Sequence, residues 1–141
     1  MILLATIAHQ GQFDKGGHPY ILHPLKVMHY CKTTDEITNC MAVGHDLIED
    51  TWVTEQSLRD HGFNEEIIFG IIGLTNVEGE TDEEKFQRLT RNVRIAKVKL
   101  ADLRHNTDVR RLKGVTEKDV KRMVRYHNLY LKLEAFVKAN S

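Results

Sequence analysis

The sequence predicts an all-α protein folded as a compact helical bundle. Three observations carry this. Only two prolines occur in 141 residues, Pro19 and Pro24, and both lie in one short segment, GGHPYILHP. Apolar residues elsewhere recur at helical rather than alternating spacing. The one stretch that suits a strand, IAKVKLAD at 95–102, has no second strand to pair with, and a lone strand is unstable.

The elements follow in order. Residues 2–12 read as a first helix. GGHPYILHP is a connector, because Gly16, Gly17 and Pro19 favour turns. A short helix from His23 to Cys31 carries Pro24 in its first turn, where proline is tolerated. Asp35 is placed to cap a helix running to about Ile48, with Ile37, Met41 and Leu47 among its apolar positions. Thr54 caps a short helix ending near Gly62. Asn64 caps another, in which Ile67, Ile68, Ile71, Ile72 and Leu74 keep helical spacing. NVEGETDEE is predicted to be an exposed acidic loop, followed by a polar helix over 83–91. Residues 95–102 are assigned to helix, with Ile95, Val98 and Asp102 spaced i, i+3, i+7. A long amphipathic helix over 116–137 is expected to present Val120, Met123, Val124, Tyr130, Leu131 and Leu133 near one stripe.

Length is consistent with one domain covering 1–141. Twenty basic and twenty acidic residues leave no net charge, so the composition gives no electrostatic case for a nucleic-acid polymer or an anionic membrane. No apolar run approaches the roughly 20 residues that span a bilayer. The start, MILLATIA, has no basic leader, and a cytoplasmic protein without a signal peptide is expected. Cys31 and Cys40 are read as buried thiols in a reducing compartment rather than a disulfide.

The stretch GHDLIEDT, 44–51, places His45, Asp46, Glu49 and Asp50 within six positions. On one continuous helix these share a side, being three or four residues apart. Three acids on a buried face repel one another unless a cation compensates, which favours a metal. The competing reading is a solvated acidic helix end, which acids opposing the helix dipole make less comfortable. His23, after the turn, is either a packed histidine or a ligand. Asp102, within the apolar run KVKLADL, is either a local hydrogen-bonding group or a ligand. Taken together, His23, His45, Asp46 and Asp102 offer two imidazoles and two carboxylates, a donor set suited to Mn²⁺, Fe²⁺ or Zn²⁺.

Four motifs now show a resemblance. AHQGQ (8–12), HPYILHP (18–24), GHDLIEDT (44–51) and KLADLRHN (99–106) resemble, in this order, motifs of the HD superfamily of metal-dependent phosphohydrolases. The similarity is closest to the RelA/SpoT-type alarmone hydrolases and their small stand-alone relatives, and the length leaves no room for the synthetase domain of the long ones. The resemblance implies a helical HD-type domain and one divalent metal ion held by His23, His45, Asp46 and Asp102. The ion is usually Mn²⁺, with Fe, Zn, Co or Ni as alternatives. Glu49 and Asp50 are implied as the catalytic pair that orients or deprotonates water, Lys15 as a phosphate contact and Asn106 as a ribose or phosphate contact. The implied substrate is a small nucleotide, (p)ppGpp losing its 3′-pyrophosphate, with a nucleoside monophosphate or NADPH as alternatives and a non-catalytic nucleotide-binding module as the remaining one.

The sequence departs from that pattern at three places. Asp14 and Asp108 stand where the family tends to carry arginine, and Leu103-Arg104 reverses the family's order. Aspartate neither stacks on a base nor clamps phosphate. Arg104, Arg110 and Arg111 are the candidates to compensate.

Overall fold

The computed structural model describes residues 1–141 as nine α-helices and one 3-10 turn, with no strands. They are α1 (Ile2–Ala8), α2 (Leu22–Cys31), α3 (Glu36–Gly44), α4 (Leu47–Asp50), α5 (Glu55–Asp60), α6 (Glu65–Leu74), α7 (Asp82–Leu89), α8 (Val93–Asn106) and α9 (Glu117–Asn140), with the 3-10 turn at Val109–Arg111 between the last two. The ambiguous 95–102 segment lies wholly within α8. No helix is long and apolar enough to cross a membrane.

Side-chain caps start most of the helices. Asp35 accepts from the Thr38 amide, Thr54 from Ser57, Asn64 from Ile67, Thr81 from Glu84, Asn92 from Ile95 and Thr116 from Asp119. Each satisfies an amide that the helix itself leaves unpaired.

Helix α3 is the central element, in contact with α1, α2, α6 and α8. On one side Met41 and Ala42 join a core with Val27, Ile95, Val98, Leu103 and Leu133. On the other, Val43 joins Leu4, Leu47, Leu58, Ile68 and Ile71. Gly70 permits the close approach of α6 to α3, since a Cβ there would overlap the side chain of Met41. Each fully buried leucine or isoleucine contributes roughly 1.5–3 kcal/mol.

Four sequence expectations are corrected. Helix α1 stops at Ala8 rather than Gln12, because the chain turns through Gly11 at φ 80°. The helix from Asp35 ends at Gly44, not Ile48. There the His45 ring Nδ1 bonds the Ala42 carbonyl at 2.7 Å, the acceptor a continuing helix would offer the Asp46 amide. His45 and Asp46 thus sit in a break before α4; Asp46 still shares a side with Glu49 and Asp50, while His45 turns away toward His23 and Asp102. The acidic loop is shorter than expected: Asp82, Glu83 and Glu84 form the first turn of α7, and Glu80 is drawn inward by Arg88. The stripe on α9 is rotated. Tyr126, Leu129, Tyr130, Leu133, Phe136 and Val137 pack on the core, while Val120, Val124 and Leu131 are exposed. Cys31 and Cys40 are free and half-buried, with burial pushing the Cys31 thiol up to about 11.

Arg88 gives a stability prediction. It is 5% exposed, donates to the Gly73 carbonyl at 2.6 Å and forms a two-pronged pair with Glu80. Arg88→Ala leaves Glu80 and the C-terminal end of α6 without their donor. We expect a loss of about 3–5 kcal/mol, read from urea unfolding midpoints at unchanged slope. A change below about 1 kcal/mol would show that water replaces the guanidinium without penalty.

Candidate functional site

Three separate segments meet beneath the α3–α4 break. His23 comes from the start of α2, His45 and Asp46 from the break, and Asp102 from the middle of α8. His23 Nε2 stands 3.0 Å from Asp102 Oδ1 and 3.6 Å from Asp46 Oδ2. His45 Nε2 stands 3.0 Å from Asp46 Oδ2 and 3.4 Å from Asp102 Oδ1. Both histidines and Asp102 are buried, and Asp46 nearly so. Two donors at right angles, each about 2.1 Å from an ion, stand about 3 Å apart.

The ring orientations agree with that spacing. The Nδ1 of His45 is taken up by Ala42, and its Nε2 is a buried atom without a hydrogen-bond partner. The Nδ1 of His23 meets the Nδ1 of His105 at 2.7 Å. Burial, Arg111 and His23 hold His105 down at about 4, so it stays neutral, and in the tautomer whose Nδ1 is bare it accepts from His23 Nδ1. His23 Nε2 is then left with its lone pair facing inward, the arrangement found where outer partners orient metal-binding histidines. Asp102 is fixed through both oxygens: Lys99 donates to Oδ2 at 2.7 Å and Asn106 to Oδ1 at 2.8 Å. Tyr20 donates to Asp46 Oδ2 at 2.6 Å.

The electrostatics describe a cation-seeking site. Burial favours the neutral forms, yet Lys99, His23 and His45 hold Asp102 well below the usual carboxylate range, and His45 holds Asp46 down to about 2. In turn, Asp46 and Asp102 outweigh burial and raise the His45 imidazole well above its ordinary range. Carboxylates that recruit protons onto a buried histidine present the same field to a metal ion. His23, His45 and Asp102 form a group able to hold a divalent metal, and the donor set fits one.

Glu49 and Asp50 lie on α4 at the exposed rim, their carboxylates grouped with that of Asp46. Glu49 is positioned by the Asn76 amide, which donates to its Oε1 at 2.8 Å. Partial burial and the neighbouring Asp46 and Glu49 charges push Asp50 up to about 6. The Asp50 carbonyl accepts from the Gln12 side chain, which also meets the His9 ring, so AHQGQ braces α4.

A pocket of about 290 Å³ opens beside this cluster. Lys15, Tyr20, Asn106, Arg111, Arg122 and Tyr126 are among its lining residues. Lys15 and Asn106 are thus brought to one cavity, and Tyr20 and Asn106 touch both it and the carboxylate ligand candidates. Asp14 lines it too, but its Oδ1 accepts from the Gly16 and His18 amides and its Oδ2 lies 3.4 Å from Arg111. Asp14 therefore shapes the loop. Gly16 is required there, since a Cβ would collide with the Arg111 carbonyl. Asp108 caps the 3-10 turn and pairs with the exposed Arg110. Of the three candidate arginines only Arg111 reaches the pocket; Arg104 lies 4.0 Å from the Tyr30 ring centre elsewhere.

Spacing arguments missed Tyr20, Lys99 and Arg122. Lys99 was the most accessible of them, since it precedes Asp102 by three residues on a helix.

Fold and site together define a helical, HD-type domain with a buried His/Asp centre. No family model matches the chain. Over 116 residues it is 34% identical to guanosine-3′,5′-bis(diphosphate) 3′-pyrophosphohydrolase of Haemophilus influenzae, covering 74% of this chain and 17% of that protein. Over 114 residues it is 33% identical to GTP pyrophosphokinase of Myxococcus xanthus, covering 70% of this chain and 15% of that one. A solved structure of a metazoan ortholog of SpoT that hydrolyzes ppGpp superposes with a TM-score of 0.69 at 22% identity, over 98% of this chain and 92% of that one. The chain belongs to the RelA/SpoT-type branch of the HD superfamily. It spans about a sixth of the length of the curated relatives it matches.

Proposed function

We propose that the protein is a Mn²⁺-dependent hydrolase that removes the 3′-pyrophosphate of (p)ppGpp, working in the cytoplasm on a free nucleotide. The observation that carries this reading is the convergence of His23, His45, Asp46 and Asp102 at 3.0–3.6 Å, with a pocket carrying Lys15, Arg111 and Arg122 alongside. These four residues would hold the ion. When bound, it would supply Lewis-acid stabilisation of phosphoryl oxygens and a more acidic water.

The chain's own groups then divide the work. Lys15 and Arg111 face the substrate phosphates, and Asn106 lies between the pocket and Asp102. Glu49, held by the Asn76 amide, takes a proton from the attacking water. The water oxygen bonds to the phosphorus next to O3′, and the P–O3′ bond breaks. Asp50, pushed up to about 6, is matched to returning a proton to O3′ near neutral pH.

A second substrate class is favoured by one specific observation. Asp14 and Asp108 line the pocket at positions where the resemblance led us to expect cations, which fits a less highly charged phosphate ester. A single screen separates the two. With Mn²⁺ supplied, the purified chain is expected to release pyrophosphate from ppGpp at least tenfold faster than it releases any product from nucleoside monophosphates or NADPH. The reverse ranking would transfer the chemistry to the other class. No turnover of any of them would end the hydrolase reading.

A further inference from the structure

A second cavity, of about 650 Å³, lies on the other side of α8. At 100° per residue, Lys97, Ala101 and Arg104 occupy the helix face opposite Lys99, Asp102 and Asn106. The cavity therefore cannot be an extension of the pocket beside the His/Asp centre. Its volume is in the range of small-molecule sites.

Its lining has a definite chemistry. Tyr30 and Tyr130 provide aromatic surface, and Lys32, Lys97 and Arg104 provide positive charge. None of these three cations is in an ion pair. Arg94 also reaches the cavity but is paired with Asp35 at 2.7 Å and with Glu66, so Lys32, Lys97 and Arg104 are the cavity's cations without a carboxylate partner. Lys32 ends α2 in a left-handed conformation, φ 47°, where glycine is the usual residue. Arg104 already lies over the Tyr30 ring, so Tyr130 and the Arg104 plane are the flat surfaces offered to a base, beside lysines that suit its phosphates.

The cavity is also in contact with the centre. Arg104 lies 4.0 Å from the Tyr30 ring centre. Tyr30 stands edge-on to His105 at 6.0 Å, and His105 stacks on His23 at 5.0 Å with the rings 14° apart. His23 Nε2 is one of the four converging atoms. We infer that this cavity is a second ligand site, built for a phosphorylated nucleotide, whose occupant presses on Tyr30 and, through His105, on His23.

The test resolves the two cavities by position and does not depend on hydrolysis. In two-dimensional NMR of the full chain, GTP is expected to move the amide signals of residues 31–33, 97, 101 and 104 saturably, and the ring signals of His23 with them. Inorganic pyrophosphate should do so more weakly, lacking a base to stack. Lys32→Glu/Lys97→Glu should weaken that response at least tenfold, and the milder Lys32→Gln/Lys97→Gln by an intermediate factor, with melting curves confirming both folds. Signals of residues 13–16 and 108–112 report the first pocket separately. Equal affinity in the charge-reversed variant, no saturable movement at 97, 101 and 104, or an unmoved His23 ring would overturn the inference.

Discussion

Asp46→Ala is expected to bind no divalent metal and to lose turnover by a factor on the order of 10³ or more. The substitution removes one of four converging donors and also the acceptor of the Tyr20 hydroxyl at 2.6 Å. His45 loses the carboxylate that most strongly favours its charged form. A ligand that binds only the folded protein stabilises it by RT ln(1 + [L]/Kd), about 2.7 kcal/mol at 100 times Kd. For a chain of this length that is a rise of about 5–10 °C in melting temperature. Wild-type protein should show this rise on adding Mn²⁺, and Asp46→Ala should show none. Asp46→Asn separates charge from packing, because the amide oxygen still accepts from Tyr20. It should melt close to wild type without metal and yet gain little from Mn²⁺. If Asp46→Ala gains the full rise, the four-donor centre is wrong, whatever the activity.

The sequence made the helices legible because their signals are local. Asp35, Thr54 and Asn64 are each a capping residue type followed at once by an acidic residue, a local helix-start signal, and each is observed as a cap. The break at His45–Asp46 was not legible. It arises because an imidazole competes for the Ala42 carbonyl, and nothing in the spelling Gly-His-Asp marks that choice. Which face of α9 is buried was equally hidden. Val120, Val124 and Leu131 are apolar and in register, but α8 is packed against the opposite face, where Tyr126, Leu133 and Phe136 lie. A helix with two apolar stripes cannot be oriented from its own sequence.

The four centre residues were chosen by residue type and by resemblance, and the structure places them together. What the residues could not show is how they are held. Lys99 was read as one of several lysines alternating with apolar groups. In the fold it is largely buried and paired to Asp102, which lets a carboxylate sit at 4% exposure among apolar side chains. Asp14 was read by charge alone, as a lost cation near substrate. Its two amide contacts show a loop-forming role that requires short side-chain reach and negative charge together, and arginine supplies neither.

Glu49→Gln is expected to keep the metal and lose turnover. The amide oxygen of glutamine replaces Oε1 as acceptor for the Asn76 amide, so the segment after α6 keeps its tether to α4. None of the 3.0–3.6 Å contacts at the centre involves Glu49, so the Mn²⁺-dependent rise in melting temperature should match wild type. A neutral amide cannot take a proton from water, and loss of a positioned base lowers turnover by roughly 10²–10⁴. KM should change little if Lys15 and Arg111 carry the substrate contacts. Asp50→Asn provides the contrast. Its carboxyl is the one pushed up to about 6, so it is the member of the pair that carries a proton at mildly acidic pH. In wild type the rate should fall on the alkaline side as Asp50 loses that proton, and Asp50→Asn should flatten this limb while Glu49→Gln leaves it. Two variants with the same metal response but different pH profiles would assign base and acid separately. Full turnover in Glu49→Gln would remove Glu49 as the base and break the paired-carboxylate mechanism.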